Sequence, residues 1–506
     1  MTVIRIVMIA LLSVTVPLAS AMAETVVPTT GAGEGRGDAQ GFKPSITKHK
    51  GRFGKAEIHY EAIAETVPIA GENGQPEAEI FSVGYTAITK APATRPVTFL
   101  YNGGPGSASF WIQMGAFGPK IVALNGPSGG SDRSSPGNPL VDNPDALLDV
   151  TDLVFIDPVG TGFSHAVGST KDEAFFKTTA DASSIAKFIR AWLTRHGRWQ
   201  SPRFVGGESY GSIRTAMIVD DDPFMTFNGA FLISQGLDWG TVIMPPGYDR
   251  GYELFLPSYS AAAWYYNRYQ ASAVSSVADA VAESQRFAER DYVSALARGQ
   301  GLSATDKANV ASRLAQLTGI SKDEWIRADL RIDPDAFRRL LLRDQGLRIG
   351  RFDARYSIGN SQVFDAGERY DPSLSAAALP YLNAMRAYLS LGLGVTTDKP
   401  YVGVISSDWT YDLSNEAFIN PAPKLGAAMT RNPGMRLFVA SGYYDFSSPV
   451  SSAQYNIGHG GIPLDRTTMR YYPTGHMMYL DSEHRRALLD DMRAFIVATL
   501  DAQAVR

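Results

Sequence analysis

Short apolar runs that close in glycine or proline recur along this chain, and helical stripes fall between them. Val97–Tyr101 and Asp152–Ile156 read as buried strands, because a brief run of apolar residues bounded by turn formers is how a strand covered on both faces appears in sequence. After the second run, Ile185, Phe188, Ile189, Trp192 and Leu193 fall at i, i+3, i+4, i+7 and i+8, one stripe of a helix. Phe204 and Val205 open a further strand, residues 230–234, 436–440 and 469–472 give three more, and 482–500 predicts a closing helix. Near the start, two β-rich runs within 55–89 flank the turn cluster Gly71-Glu72-Asn73-Gly74-Gln75-Pro76 and predict an antiparallel hairpin at a sheet edge. Strands alternating with helices predict an α/β protein built on a doubly wound layer.

Residues 240–400 break the rhythm. Ser321-Lys322-Asp323-Glu324 is a capping box, and Asp333-Pro334 starts a second helix for which Gly346 supplies a stop. The expectation is a mostly helical insertion, or lid, over the carboxyl ends of the strands where ligands bind. The chain then divides into a signal peptide at 1–23, a leader at 24–41, the first part of the core at 42–240, the insertion at 241–400 and the second part of the core at 401–506. The leader carries five glycines in 29–41 and no apolar period, which predicts a flexible segment, and its Arg36-Gly37-Asp38 is assigned no function.

Composition narrows the class. With 506 residues, 44% hydrophobic and 19% charged, the chain has ample core material for one large domain with an insertion, or for two domains. Arg5, the apolar stretch 6–19 and Ala21-Met22-Ala23 form the positive start, core and cleavage site of a secretory signal. Its removal takes the formal charge from −4 to −5 by losing Arg5, which gives no reason to expect nucleic acid or, once the signal is gone, a membrane as partner. Zero cysteines exclude disulfides, thiolate metal sites and a cysteine nucleophile. An exported protein without cysteines points to a bacterial periplasm.

The chemistry sits at strand ends. Gly207-Glu208-Ser209-Tyr210-Gly211 follows a strand and has the G-x-S-x-G form of a nucleophile elbow, in which a sharp strand-to-helix turn exposes the serine hydroxyl. Such a serine needs a base and an orienting acid, in the chain order Ser, Asp or Glu, His for an α/β hydrolase. Asp445 follows the strand at 436–440 and His476 follows that at 469–472, so Ser209, Asp445 and His476 are the candidate triad. His49 and His59 precede the core, while His165, His196, His459 and His484 lack a strand-then-glycine setting. Ser164 lacks the second glycine of an elbow. Tyr101-Asn102-Gly103-Gly104-Pro105-Gly106 resembles the glycine-rich oxyanion loop of esterases and lipases, which makes the backbone N–H groups of Gly104 and Tyr210 the candidate oxyanion donors. No metal or cofactor is required.

Asn102-Gly103-Gly104-Pro105-Gly106, Asp157-Pro158-Val159-Gly160-Thr161-Gly162-Phe163-Ser164, Gly207-Glu208-Ser209-Tyr210-Gly211 and Gly475-His476-Met477 together resemble the serine carboxypeptidases. The resemblance implies an α/β-hydrolase core with a helical insertion over the site, and a serine that attacks the last peptide bond of a peptide with a free carboxyl terminus. It implies that Asn102, Gly103 and Glu208 hold the substrate's carboxylate. Two departures stand out. The family's second glutamate, which shares a proton with the first, falls at Ala116, and the first acid of its G-D-x-D segment is replaced by Tyr443. The loss at Ala116 bears on both an acidic pH optimum and strict selection of a carboxyl terminus. It leaves open an esterase or acyltransferase using the same triad and a plain structural role for Glu208. Arg214, near the serine, offers either a positive charge to a carboxylate or only helix packing, and a peptide-binding protein without turnover is the rival of another class.

Overall fold

Six parallel strands and an antiparallel flank form one mixed sheet, and the reason lies in how the apolar runs alternate between two faces. The computed structural model describes residues 43–124, 126–127, 140–222, 225–360, 370–405, 407–413 and 418–504; the signal peptide and leader expected at 1–41 lie outside them. The main strands are β1 (Ser45–Phe53), β2 (Ala56–Ala70), β3 (Pro76–Ala87), β4 (Val97–Tyr101), β5 (Asp152–Ile156), β6 (Arg203–Glu208), β7 (Gly229–Ile233), β8 (Arg436–Gly442) and β9 (Thr467–Tyr472). Their order across the sheet is β1-β2-β3-β5-β4-β6-β7-β8-β9. The pairs β1–β2, β2–β3 and β3–β5 are antiparallel, and every pair from β5–β4 to β8–β9 is parallel. With a serine turn at the end of β6, this is the α/β-hydrolase fold.

Leu100, Phe155, Phe204, Phe231 and Phe438 point into one apolar cluster, while their neighbours Phe99, Val154, Val205, Leu232 and Val439 point into another. A sheet buried on both faces needs helices on both. Of the helices with ten residues or more among the described residues, α1 (Thr178–Arg195), α2 (Tyr210–Asp221) and α7 (Ala422–Arg431) feed the second cluster, whereas α6 (Pro372–Ala387) and α9 (Ser482–Ala504) feed the first. The stripe of α1 is buried as its spacing requires, with Trp192 set edge-on to Phe99.

Between β7 and β8 lie α3 (Arg250–Tyr265), α4 (Val277–Phe287), α5 (Ala304–Thr318), α6 and α7, together with the short helices Lys322–Arg327 and Pro334–Leu340 and the ribbon Leu347–Ile349 with Ser357–Gly359. Much of this segment has its own core, in which Tyr259 stacks on Phe337 with ring centroids 4.1 Å apart. That core also takes in Tyr444, Phe446 and Val450 from beyond β8, ahead of and within α8 (Val450–His459). Ser321 accepts from the Glu324 amide, as a capping box does.

Two details differ from the sequence reading. The helix begun by Pro334 stops at Leu340, and Gly346 ends the separate turn Arg343–Gln345 instead, at φ 67°. Strand β1 was not expected, because its alternation is mostly of polar residues: Lys48, Lys50 and Arg52 stand on an edge strand with one face in water.

One buried ion pair fastens the serine turn to α1. Arg214 on α2 is wholly inaccessible, donates to both Asp181 oxygens at 2.8 and 3.1 Å, and donates to the Asn102 carbonyl at 2.6 Å. It lies over the rings of Tyr101 and Tyr210. Removing one member leaves a buried charge uncompensated. Arg214→Met is therefore expected to lower the unfolding free energy by about 3–5 kcal/mol, and Asp181→Leu combined with Arg214→Met to lower it by less than the single change, as read from denaturant unfolding of the three proteins.

Candidate active site

The carboxyl ends of β4, β6, β7, β8 and β9, five of the six parallel strands, converge on one place. Ser209 is the first residue after β6 and adopts φ 58° and ψ −124°, a left-handed backbone that L-residues seldom occupy. Its amide donates to the Ile233 carbonyl at the end of β7 at 2.9 Å. Gly103, just past β4, lies against the same turn: a Cβ there would come 2.7 Å from the Tyr210 nitrogen and 3.0 Å from Ser209 Cβ. Only glycine permits that approach, and it brings Asn102, Gly103 and Gly104 beside Ser209 and the first amide of α2.

Asp445, three residues past β8, and His476, four past β9, meet across the neighbouring loops. His476 Nδ1 lies 2.7 Å from Asp445 Oδ2, and both side chains are buried. An ionised carboxylate only accepts, so Nδ1 carries the proton and Nε2 is left with its lone pair. The other Asp445 oxygen accepts from the amides of Ser447 and Ser448 at 2.7 and 2.9 Å. Burial opposes the imidazolium, but the charge and hydrogen bond of Asp445, aided by Glu208, outweigh it and hold His476 above its ordinary value of 6.5.

Several residues that build this arrangement carry no sequence signal. Ser448 Oγ lies 2.8 Å from Asp445 Oδ2 and 2.9 Å from the Ser234 carbonyl, while Ser234 Oγ donates to the His476 carbonyl at 2.6 Å. From the segment between β7 and β8, the Phe352 carbonyl accepts from the His476 amide at 2.6 Å, and its ring sits edge-on to the imidazole. Arg355 donates to the Pro473 carbonyl at 3.0 Å and to Thr474 Oγ1 at 2.8 Å while paired with Asp353. Nothing local marks Phe352 or Arg355, since their partners lie about 120 positions further along.

A cavity of about 100 Å³ is bounded by Asn102, Gly104, Glu208, Ser209, Ser447 and His476 on its polar side, and by Trp111, Phe352, Leu374, Val404 and Met477 on its apolar side. The structure thus brings Ser209, His476, Asn102, Gly104 and Glu208 to one cavity, with Asp445 behind His476. Asn102 Oδ1 is buried without a hydrogen-bond partner. Glu208 accepts from the Tyr479 phenol at 2.7 Å, and burial pushes its carboxyl up to about 7 against the opposing pull of His476 and Tyr479.

Other candidates fall away from the cavity. Ser164 donates to the Asp157 carbonyl and accepts from the Phe81 amide. Arg214 is committed to Asp181, with no part of it lining the cavity. Ala116 is fully buried in the turn Gln113–Phe117, its carbonyl accepting from Asn143 Nδ2 at 2.7 Å.

Comparison with known proteins agrees with the motifs. Residues 73–221 match the serine carboxypeptidase family. Serine carboxypeptidase-like 16 of Arabidopsis thaliana is 33% identical over 135 residues, 26% of this chain and 28% of the relative. Serine carboxypeptidase-like 33 of the same plant is 28% identical over 185 residues, 35% of this chain and 36% of the relative. The matched stretches thus span about a third of these relatives' own length. Among solved structures, a prohormone-processing carboxypeptidase from Saccharomyces cerevisiae is similar with a TM-score of 0.47 and 17% identity, over 86% of this chain and 91% of that one. Residues 73–221, the stretch similar to the serine carboxypeptidase family, carry the asparagine-glycine loop, the serine turn and the helix behind it.

Proposed function

We propose that the protein is a serine carboxypeptidase-like hydrolase that releases the last amino acid from peptides through an acyl-enzyme. The observation that carries this reading is the placement of a buried, bonded Asp445–His476 pair and of Glu208 and Asn102 around one cavity with Ser209. The segment between β7 and β8 acts as a lid that supplies Phe352, Leu374 and Val404 to the cavity. Export by the segment 1–23 into a periplasm belongs to the same proposal and rests on sequence alone; no helix among the described residues is long and apolar enough to cross a membrane.

Each group has one task. His476 Nε2 takes the proton of Ser209 Oγ as that oxygen attacks the carbonyl of the last peptide bond, and Asp445 steadies the imidazolium that forms. Charge developing on the carbonyl oxygen is met by the N–H groups of Gly104 and Tyr210. Collapse of the intermediate breaks the C–N bond, and His476 returns the proton to the leaving amine. Water then attacks the acyl-serine with the same base, freeing the shortened peptide and restoring Ser209. Asn102, Gly103 and Glu208 hold the substrate's terminal carboxylate, which confines cleavage to the final bond.

The alanine at 116 favours one second reading, an esterase or acyltransferase with the same acyl-enzyme but no demand for a free carboxylate. Release of the terminal amino acid from a blocked dipeptide, compared with its carboxyl-amide twin and a simple aryl ester between pH 4 and 8, separates the two. Preference for the free acid is expected, lost in Ser209→Ala; equal use of acid and amide, or cleavage of the ester alone, would move the protein to the second reading. A phosphonofluoridate is expected to add to Ser209 by mass spectrometry, and an unlabelled protein would mark a binder without turnover.

Two further outcomes follow from the geometry. Asp445→Asn, which keeps the shape but spoils the tautomer of His476, is expected to reduce kcat on the aryl ester by about ten-thousand-fold. Because the base must be neutral to act and Asp445 raises its pKa, ester turnover is expected to fall as the pH drops, with a midpoint above 6.5. A midpoint below 6.5 in the pH profile of kcat/KM would contradict this assignment of the base.

A further inference from the structure

Glu208 is a single carboxyl in a site whose family pattern has two, and the structure fills the gap from an unexpected direction. Tyr479, three residues past His476, is buried and donates to Glu208 Oε2 at 2.7 Å. Its ring lies over Gly115, where any Cβ would collide with it, so the phenol enters at the same helical turn that carries Ala116. Tyr381 of α6 packs against Tyr479, with ring centroids 6.3 Å apart, and also borders Gly115. Burial and the neighbouring Glu208 charge raise the Tyr479 phenol far above its ordinary value, so it stays a donor throughout the working range.

We propose that Tyr479 takes over the task of the missing second carboxyl: its phenol occupies one oxygen of Glu208 and fixes the carboxyl plane, so that the other oxygen presents a proton to the substrate's terminal carboxylate. The proposal rests on the carboxypeptidase reading and adds to it a positioning residue and a pH range. Two carboxyls in contact need a shared proton to avoid facing each other as two anions, which suits acidic conditions. A phenol stays neutral, so the site depends on the protonation of Glu208 alone. The groups that face Glu208 are His476, Asp445, Tyr479 and Tyr381. Burial raises Glu208 to about 7, and the Tyr479 hydrogen bond works against this by stabilising the carboxylate. Below that value a neutral Glu208 donates to the substrate; above it two negative carboxylates face each other and binding weakens.

The test is the ratio of kcat/KM for a blocked dipeptide acid to that for its carboxyl-amide twin, from pH 5 to 9, in which the titration of His476 largely cancels. In the wild-type protein the ratio is expected to fall as the pH passes about 7, through a rise in KM for the acid. Tyr479→Phe removes only the phenol oxygen and is expected to move that midpoint upward, by about half a pH unit or more, because the carboxylate loses a donor. Were the variant to lower both substrates by one factor at every pH with the midpoint fixed, Tyr479 would be a packing residue, the proposal would fail, and the carboxypeptidase reading would stand. If the wild-type protein shows no preference for the acid at any pH, both fail together. Should Tyr479→Phe not fold, Glu208→Gln decides: its amide keeps an acceptor for Tyr479 and a donor for the substrate, so the step near neutrality should vanish, and a step that persists overturns the proposal.

Discussion

The left-handed backbone at Ser209 is the constraint around which the core is arranged. A serine gains nothing locally from that conformation, and residues held in sparsely populated regions cost of order 1–3 kcal/mol. The cost is offset by contacts on every side. The Ser209 amide bonds to β7, Gly103 allows β4's loop to abut the turn, and Arg214 ties α2 to both Asp181 and the Asn102 carbonyl. The same charged group therefore holds the turn and the loop facing it. A change at Arg214 alters the relation between two parts of the site without touching any substrate.

Much of this was legible in sequence because the relevant signals are local. Buried parallel strands announce themselves as apolar runs: β4, β5, β7, β8 and β9 lie within two residues of where such runs place them, and β6 begins one residue before Phe204. The hairpin of β2 and β3 followed from its turn residues. Strand β1 escaped because Lys48, Lys50 and Arg52 give it no apolar run, only a partner in β2. In the site, the order of Ser209, Asp445 and His476 is a property of the chain, whereas the 2.7 Å contact between the last two is a property of the fold. Ser234, Ser448, Phe352, Arg355 and Tyr479 were illegible for one physical reason: each acts on a group whose neighbourhood is set by tertiary packing. Tyr479 came nearest to being readable, lying three residues from His476, but a tyrosine in that position points to nothing until Gly115 and Glu208 are placed around it.

The site is closely built without cysteines. Around His476, the links between core and insertion are hydrogen bonds and ion pairs: Phe352 to the His476 amide, Arg355 to the loop before it, and the Phe446 amide to the Arg351 carbonyl at 3.0 Å. Satisfying backbone groups in this way fixes their orientation as well as their distance.

That stitching has a consequence for how the molecule matures. Ser209 and His476 stand 267 positions apart, the difference of their numbers, and the carbonyl that seats the histidine comes from Phe352 between them. Contacts of such long sequence separation form late, since their loop entropy must be overcome before they contribute any stability. A chain still collapsing, or one whose segment between β7 and β8 has yet to dock, holds Ser209 without His476 seated by the Phe352 carbonyl. Ser209 and His476 thus reach one cavity only when the tertiary structure closes.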